Sequence, residues 1–116
     1  MATITDEYMQ QELAASREYC IVILRAGPQR NQPGVEKILW EHARRNFSLR
    51  ADGLRPIVFA VRDPTGLSGI GVFTGTVDEV KAIMDEDPGV KAGVFVYEVH
   101  TCRSFPGDSL PAKEIS

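Results

Sequence analysis

Cysteine is scarce in this chain, and long apolar segments are missing. The two cysteines, Cys20 and Cys102, lie far apart in strand-like segments, which excludes a CxxC redox motif and a cysteine-based zinc cluster. We expect both to be buried free thiols. No apolar run approaches the ~20 residues of a membrane helix. Residues 1–7 have neither the basic nor the apolar region of a secretory signal, so a cytoplasmic protein without a membrane partner is expected.

An excess of positive charge is also missing. The 16 acidic residues outnumber the 13 basic ones, which gives a formal net charge of -3, and both kinds are mixed along the chain. No basic stripe is available to neutralise a phosphate backbone, so nucleic acid is not an expected partner. With 43% hydrophobic and 25% charged residues over 116 positions, the composition is typical of a single globular domain.

Local signals divide the chain into an extension, a domain and a tail. Residues 1–18 are polar with apolar side chains at roughly helical spacing, and Thr5 is suited to cap an appended helix. Residues 19–105 carry the alternating helix and strand signals of the domain. Residues 106–116 are rich in proline, glycine and charge, which predicts a loosely ordered tail.

Within the domain, four short apolar runs predict strands and two amphipathic segments predict helices. Pro33 suits the first turn of the first helix, which is expected to stop at Asp52-Gly53. Thr76-Val77-Asp78-Glu79 is a capping box that starts the second helix, and Asp87-Pro88-Gly89 ends it. The predicted strands are Tyr19–Arg25, Ile57–Val61, Ile70–Thr74 and Gly93–His100.

The resulting order, β-α-β-β-α-β, is the pattern of the ferredoxin-like α+β fold. In that fold two helices cover one face of a four-stranded antiparallel sheet. An antiparallel sheet with one wet face alternates apolar and polar residues, whereas these strands are almost unbroken apolar runs. Both faces should therefore be covered, and we expect a symmetric homodimer in which the two sheets pack face to face.

The first predicted helix carries two polar residues within its apolar stripe. At ~100° per residue, His42 and Asn46 fall on the same side as Val35 and Leu49, while Arg45 points outward. A histidine titrates near neutrality and can exchange a proton with a ligand, or it can be a core residue satisfied by a polar neighbour. Asn46 is a candidate for substrate binding, although it can also orient the imidazole or bond to the backbone.

Two aspartates are further candidates. The helical spacing from Val80 and Met84 places Asp87 on the inner side of the second helix, where an unpaired carboxylate would be costly. Asp87 can fix the tautomer of a histidine, or it can bond to amides in its own Asp-Pro-Gly turn. Asp63 is a candidate substrate contact in the turn between two strands, and equally an ordinary turn residue.

The remaining signals carry less chemistry. The glycine pair in Gly69-Ile70-Gly71 lacks the context of a phosphate-binding loop, so no nucleotide site is inferred from it. His100 and Arg103 end the last strand, where they could reach a ligand or be solvated. Trp40 lies off the inner stripe of its helix and is expected at an edge or a subunit contact.

Taken in order, several of these segments resemble the YCII-like family. That family has the dimeric α+β barrel fold, and a histidine and an aspartate are regarded as its catalytic pair. The resemblance implies those two roles for His42 and Asp87 and extends over residues 19–103. The matching segments are Leu24-Arg25-Ala26-Gly27-Pro28, His42, Asp52-Gly53 and Asp87-Pro88-Gly89-Val90-Lys91-Ala92-Gly93-Val94-Phe95.

The expected function is a small enzyme of lyase or isomerase type acting on a small hydroxy or oxo compound. In this hypothesis His42 is the general base or acid and Asp87 orients it. Proton transfer of this kind requires no cofactor and no metal, so none is expected. The alternative is a non-catalytic module that binds a small molecule in the same pocket. A haem- or metal-handling protein that uses His42 and His100 is a third, weaker interpretation.

Overall fold

The computed structural model describes residues 1–113, which form one four-stranded antiparallel sheet and four helices. The expectation of a mixed α+β fold is therefore confirmed. No helix in this part of the chain is long and apolar enough to cross a membrane. In chain order the elements are α1 (Asp6–Ala14), β1 (Arg17–Ala26), α2 (Val35–Ala51), β2 (Ile57–Ala60), β3 (Leu67–Phe73), α3 (Val77–Asp85), α4 (Pro88–Lys91) and β4 (Phe95–Ser104).

The strands follow the order β2-β3-β1-β4, and every neighbouring pair is antiparallel. This order and the alternation of helices and strands are compatible with the ferredoxin-like fold. The sequence pattern predicts only a helix end at Asp87-Pro88-Gly89, whereas the structure adds the one-turn helix α4 there. Asp87 caps that turn, and Pro88 occupies its first position, where a missing amide hydrogen has no cost.

The two faces of the sheet differ in how well they are covered. On β1, Cys20, Val22 and Leu24 point toward the helices and are at most 2% exposed. The alternate residues Ile21 and Ile23 point to the opposite face and are only half-buried. Nearly unbroken apolar strands therefore leave one apolar face open in the single chain, which we call the open sheet face. The core lies on the other side, around Phe73, Val80, Met84 and Val94.

Helix ends follow local signals closely. The predicted capping box of α3 is confirmed, because the Thr76 hydroxyl accepts from the Glu79 amide and the Glu79 carboxylate accepts from the Thr76 amide, each at 3.3 Å. Helix α2 ends at Ala51, and Gly53 follows in the left-handed conformation that a stop of this kind favours. Its start differs slightly from expectation, since Pro33 lies in the turn before the helix and Gly34 is the N-cap.

Strand ends follow the sequence signals less closely. β1 and β4 pair along their whole lengths, from Arg17 opposite Ser104 to Ala26 opposite Phe95, so both extend beyond their apolar runs. β2 stops at Ala60, before the turn region 61–66. Residues 106–113 contain no helix or strand, and the final part of the predicted tail, residues 114–116, lies outside the described residues.

Candidate functional site

Helix α2 holds His42 on its buried side. Val35, His42 and Leu49 follow one another at intervals of seven residues and are the buried residues of this helix. His42 is 8% exposed, so the prediction that it faces inward is confirmed. Its ring packs against Phe95 at the start of β4, with the ring centroids 4.7 Å apart.

Asp87 is buried at the same place, as expected, but it does not lie on the second predicted helix, because α3 ends at Asp85 and Asp87 follows it in extended backbone. It is the N-cap of α4, where its Oδ2 accepts hydrogen bonds from the amides of Gly89 at 2.9 Å and Val90 at 3.2 Å. The side chain is almost fully buried. A Cβ on Gly89 would lie 2.6 Å from the Phe95 ring and 3.0 Å from Asp87 Oδ2, so only glycine fits beside this carboxylate.

The structure brings His42 and Asp87 into direct contact. His42 Nδ1 lies 2.9 Å from Asp87 Oδ1 and 2.8 Å from Oδ2. An ionised carboxylate only accepts hydrogen bonds. Nδ1 therefore carries a proton, and its N–H group donates a hydrogen bond to Asp87. The two sequence-based interpretations of Asp87 are therefore both realised, because one carboxylate caps α4 and also orients the imidazole.

The pKa of Asp87 reflects opposing influences. Burial favours the neutral acid and by itself raises the pKa. The hydrogen bond and the charge interaction with His42, together with the amides of Val90 and Gly89, outweigh burial and hold the pKa of Asp87 below its ordinary value. Asp87 is therefore a carboxylate at neutral pH and keeps its role as an acceptor.

The other ring nitrogen of His42 also has a partner. Asn46, one turn further along α2, places its amide nitrogen 3.3 Å from His42 Nε2. The Asn46 amide oxygen accepts a hydrogen bond of 2.6 Å from Arg55 Nη1. Because a guanidinium only donates, the Asn46 oxygen must face Arg55 and its NH₂ group must face His42. His42 Nε2 is therefore the acceptor, in agreement with the proton on Nδ1.

Arg55 is a buried residue of this group that the sequence analysis does not predict. It follows α2, is 1% exposed, and its guanidinium lies 5.1 Å from the Phe73 ring centroid. Burial lowers the pKa of Arg55 to about 10, while Asp87 opposes the shift and Arg45 adds to it. Arg55 is still charged at neutral pH. The available signal was Gly71, since a glycine within a strand often marks a close approach by another group.

Arg45 corrects one expectation. The helix phase predicts that it points outward, but its Nη1 is buried and lies 3.8 Å from Asp87 Oδ1 without a hydrogen-bond partner in the described residues. Arg45 follows His42 by three residues, which places both side chains on neighbouring parts of the helix surface. The buried group thus contains one carboxylate and two guanidinium groups around a histidine.

Asp63 lies apart from this group. It is exposed in the turn after β2, where its carboxylate accepts a hydrogen bond from the Thr65 hydroxyl. With Arg30 and Asn31 it lines an open cleft of about 400 Å³. Phe95 forms part of the wall of this cleft and also packs against the His42 ring, so one side chain joins the two sites.

The remaining candidates lie elsewhere. His100 is exposed on the open sheet face, where its Nε2 lies 2.9 Å from Glu98 Oε2. Cys20 is buried and Cys102 is half-buried; both are free thiols, and burial raises the pKa of each. Within residues 1–113, no cluster of three or more histidine, cysteine, aspartate or glutamate side chains is arranged to hold a metal ion.

No family model matches the chain. No curated protein matches it either.

Proposed function

We propose that this chain is a small-molecule enzyme of lyase or isomerase type in which His42 exchanges a proton with the substrate. The observation that carries the proposal is the contact of His42 Nδ1 with both oxygens of Asp87, at 2.9 and 2.8 Å. A carboxylate in this position fixes the tautomer, leaves Nε2 with a lone pair and stabilises the imidazolium formed when Nε2 accepts a proton.

The reaction follows from that arrangement. Nε2 removes a proton from a carbon next to a carbonyl group, and the electron pair of the broken C–H bond moves into an enolate. The imidazolium returns its proton to a different atom in an isomerase. In a lyase it gives the proton to a group leaving from the adjacent carbon. The 3.3 Å contact between Asn46 and Nε2 is long, so the substrate can replace it at low cost.

The cleft that contains Asp63 is the proposed substrate site. Arg30, Asn31 and Asp63 supply a cation, an amide and a carboxylate around a volume of about 400 Å³, which suits a small polar hydroxy or oxo compound. Phe95 lines the cleft and packs against the His42 ring, so a substrate in the cleft would reach His42 only if the Phe95 side chain moved. Asn46 would contact the substrate only at the reacting atom.

The experiment is a screen for proton exchange. The protein is incubated in D₂O with a panel of small oxo and hydroxy compounds, and loss of C–H signal is followed by ¹H NMR. We expect at least one compound to exchange, and His42→Gln to reduce that rate at least 100-fold. The matched control is His100→Gln, which changes the other histidine and should leave the rate unchanged.

A second candidate function is a binding module without turnover. It is favoured by the engagement of both ring nitrogens of His42, which is also 8% exposed. In that case compounds would bind in the cleft, and His42→Gln would leave their exchange with solvent unchanged. Equal exchange rates in the wild type and in His42→Gln, across every compound that binds, would select this candidate over the enzyme.

We further propose a relationship to the YCII-like family and a homodimer formed through the open sheet faces, in the manner of a dimeric α+β barrel. The order of strands and the position of the histidine and aspartate support the relationship. The dimer is supported by the apolar side chains on the open sheet face, where Phe59 is 43% and Val96 47% exposed. Burying them against a second copy would remove this apolar area from water.

A further inference from the structure

Helix α1 contains no buried residue, although three of its side chains are large and apolar. Tyr8, Met9 and Leu13 are 50%, 48% and 40% exposed. A nine-residue helix is too short to be stable alone in water, since isolated helices below about 12 residues are marginal. The caps at its ends do not make up for this marginal stability, so α1 requires a surface to pack against.

A matching surface lies on the outer side of α2. Trp40 and Phe47, 67% and 65% exposed, are seven residues apart and therefore share one stripe of the helix, with Ala43 between them. Together with Arg44 they line a depression of about 260 Å³, wide enough for a leucine or methionine side chain. We call this surface the Trp40–Phe47 patch.

The charges of the two surfaces are complementary. Helix α1 contains acidic residues and no basic one, while basic residues outnumber acidic ones on α2 and Arg50 lies over the Phe47 ring at 5.9 Å. Opposite charges around an apolar contact favour association and set its orientation. The acidic residues of α1 are Asp6, Glu7 and Glu12, and the exposed basic residues of α2 are Lys37, Arg44 and Arg50. Arg45 is not among them, because it turns inward toward Asp87.

The structure favours a second copy as the source of α1. Within one chain the patch is left free, because Trp40 and Phe47 are exposed and no residue of α1 is buried. Only Ala15 and Ser16 link α1 to β1, and such a link spans about 7 Å, which limits where α1 can lie on its own chain. The end of α2 that carries Phe47 lies near the start of β1, because Cys20 pairs with Phe73 and the Thr74 amide bonds to the carbonyl of Leu54, whereas Trp40 lies about two helical turns further away.

We propose that α1 of one copy docks on the Trp40–Phe47 patch of another copy of this chain. Leu13 and Met9 enter the depression between the two aromatic rings, and the acidic side chains of α1 face the basic side chains of α2. This contact does not involve His42 or Asp87, so a test of the contact does not depend on whether the protein is an enzyme. It is also distinct from the open sheet face, which lies on the other side of the sheet.

Trp40 is the single tryptophan of the chain, so its fluorescence reports directly on the patch. The test uses two complementary variants. Leu13→Asp has a disabled α1 and keeps Trp40, whereas Trp40→Phe has an intact α1 and no tryptophan emission. When Trp40→Phe is added in excess to Leu13→Asp, we expect a saturable shift of the emission to shorter wavelength. Added salt should weaken the shift, because it screens the charge interaction.

The control is the same titration with a double variant, Leu13→Asp and Trp40→Phe, which supplies no working α1 and should cause no shift. A second control, Gln11→Asp with Trp40→Phe, adds the same charge on the opposite side of α1 and should restore the shift. Absence of a shift on adding Trp40→Phe would overturn the proposal. A shift of equal size with the double variant would overturn it as well, since that association would not use α1.

Discussion

Asp87 is the residue on which the candidate site depends, because one carboxylate does two things. It caps α4 through the amides of Gly89 and Val90, and it holds the imidazole of His42. Asparagine is also a good N-cap, so Asp87→Asn retains the first role and removes the charge on which the second depends. The two contributions can therefore be separated by a single substitution.

We predict that Asp87→Asn lowers the free energy of unfolding at pH 7 by about 1–3 kcal/mol, the range for losing a buried charged hydrogen bond. Folding lowers the pKa of Asp87. Its charge therefore stabilises the fold fully above about pH 4, and the contribution is lost as the pH falls toward the folded-state pKa. The difference between wild type and variant should accordingly shrink from pH 4 to pH 2.

Urea unfolding at a series of pH values measures this difference. Asp63→Asn is the matched control, since Asp63 is an exposed carboxylate, and it should change stability by less than about 0.5 kcal/mol. A gap between wild type and Asp87→Asn that stays constant down to pH 2 would mean that the charge of Asp87 does not stabilise the fold.

The residues of the site differ in how far the sequence predicts them. Helical periodicity places His42 correctly on the inward side of α2, but it does not apply to Asp87, which lies beyond the end of α3 and is buried as the cap of α4. The contact between the two residues depends on how α2 and α4 pack together. Arg55 lies in a loop, where no periodicity exists, and a buried arginine contradicts the usual preference of that residue for the surface. Arg45 illustrates the limit of phase arguments, since a long side chain can turn back toward a buried charge.

The approach of the α2–β2 connection to β3 depends on a glycine. Arg55 precedes β2, and its guanidinium lies directly against Gly71 of β3, so that a Cβ on residue 71 would collide with it. Arg55 also donates the hydrogen bond that orients Asn46. Its guanidinium fits between the two elements only because residue 71 of β3 is a glycine. A larger side chain at residue 71 would therefore disturb both the packing of the connection on β3 and the hydrogen bond from Arg55 to Asn46.

Gly71→Ala should destabilise the protein by about 1–3 kcal/mol, the usual cost of overpacking. The penalty should fall to less than about 1 kcal/mol when the same substitution is made in Arg55→Met, whose flexible side chain can move aside. Chemical denaturation of the four proteins gives this coupling energy as a double-mutant cycle. Equal penalties in both backgrounds would show that Gly71 is not needed for Arg55.

The ends of helices can be predicted from the sequence more closely than the ends of strands. The capping box at Thr76 and the stop at Gly53 are local, so the sequence gives both correctly. The extension of β4 to Ser104 depends on its pairing with β1, a contact between distant parts of the chain that no local pattern encodes. Helix α4 is missed because four residues are too few for a periodic signal.

The whole chain has one well-packed face of the sheet and one open face. Apolar residues occupy the open sheet face on β1, β2 and β3, with Ile21, Phe59, Ile70 and Val72 among them. The unbroken apolar runs of the strands predict these apolar residues, because they place apolar side chains on both faces of the sheet. What covers the face is a property of the assembly, and the proposed dimer makes a definite prediction about it.

We predict that Phe59→Asp weakens the dimer at least tenfold, because it introduces a charge into an apolar contact. Sedimentation velocity across a concentration series measures the dissociation constant. Ala82→Asp, which adds the same charge on the exposed side of α3, should leave it unchanged. A wild-type protein that stays monomeric, or a Phe59→Asp variant that dimerises as well as the wild type, would rule out this interface.

The measurement to make is the tautomer of His42, read from the ¹⁵N chemical shifts of its ring nitrogens in the neutral imidazole form. The chain has two histidines, so His100→Gln assigns the signals. Contacts with Asp87 and Asn46 predict a proton on Nδ1 and an unprotonated Nε2. A proton on Nε2 instead would contradict the role of Asp87 as the group that orients the histidine, and with it the proposed mechanism.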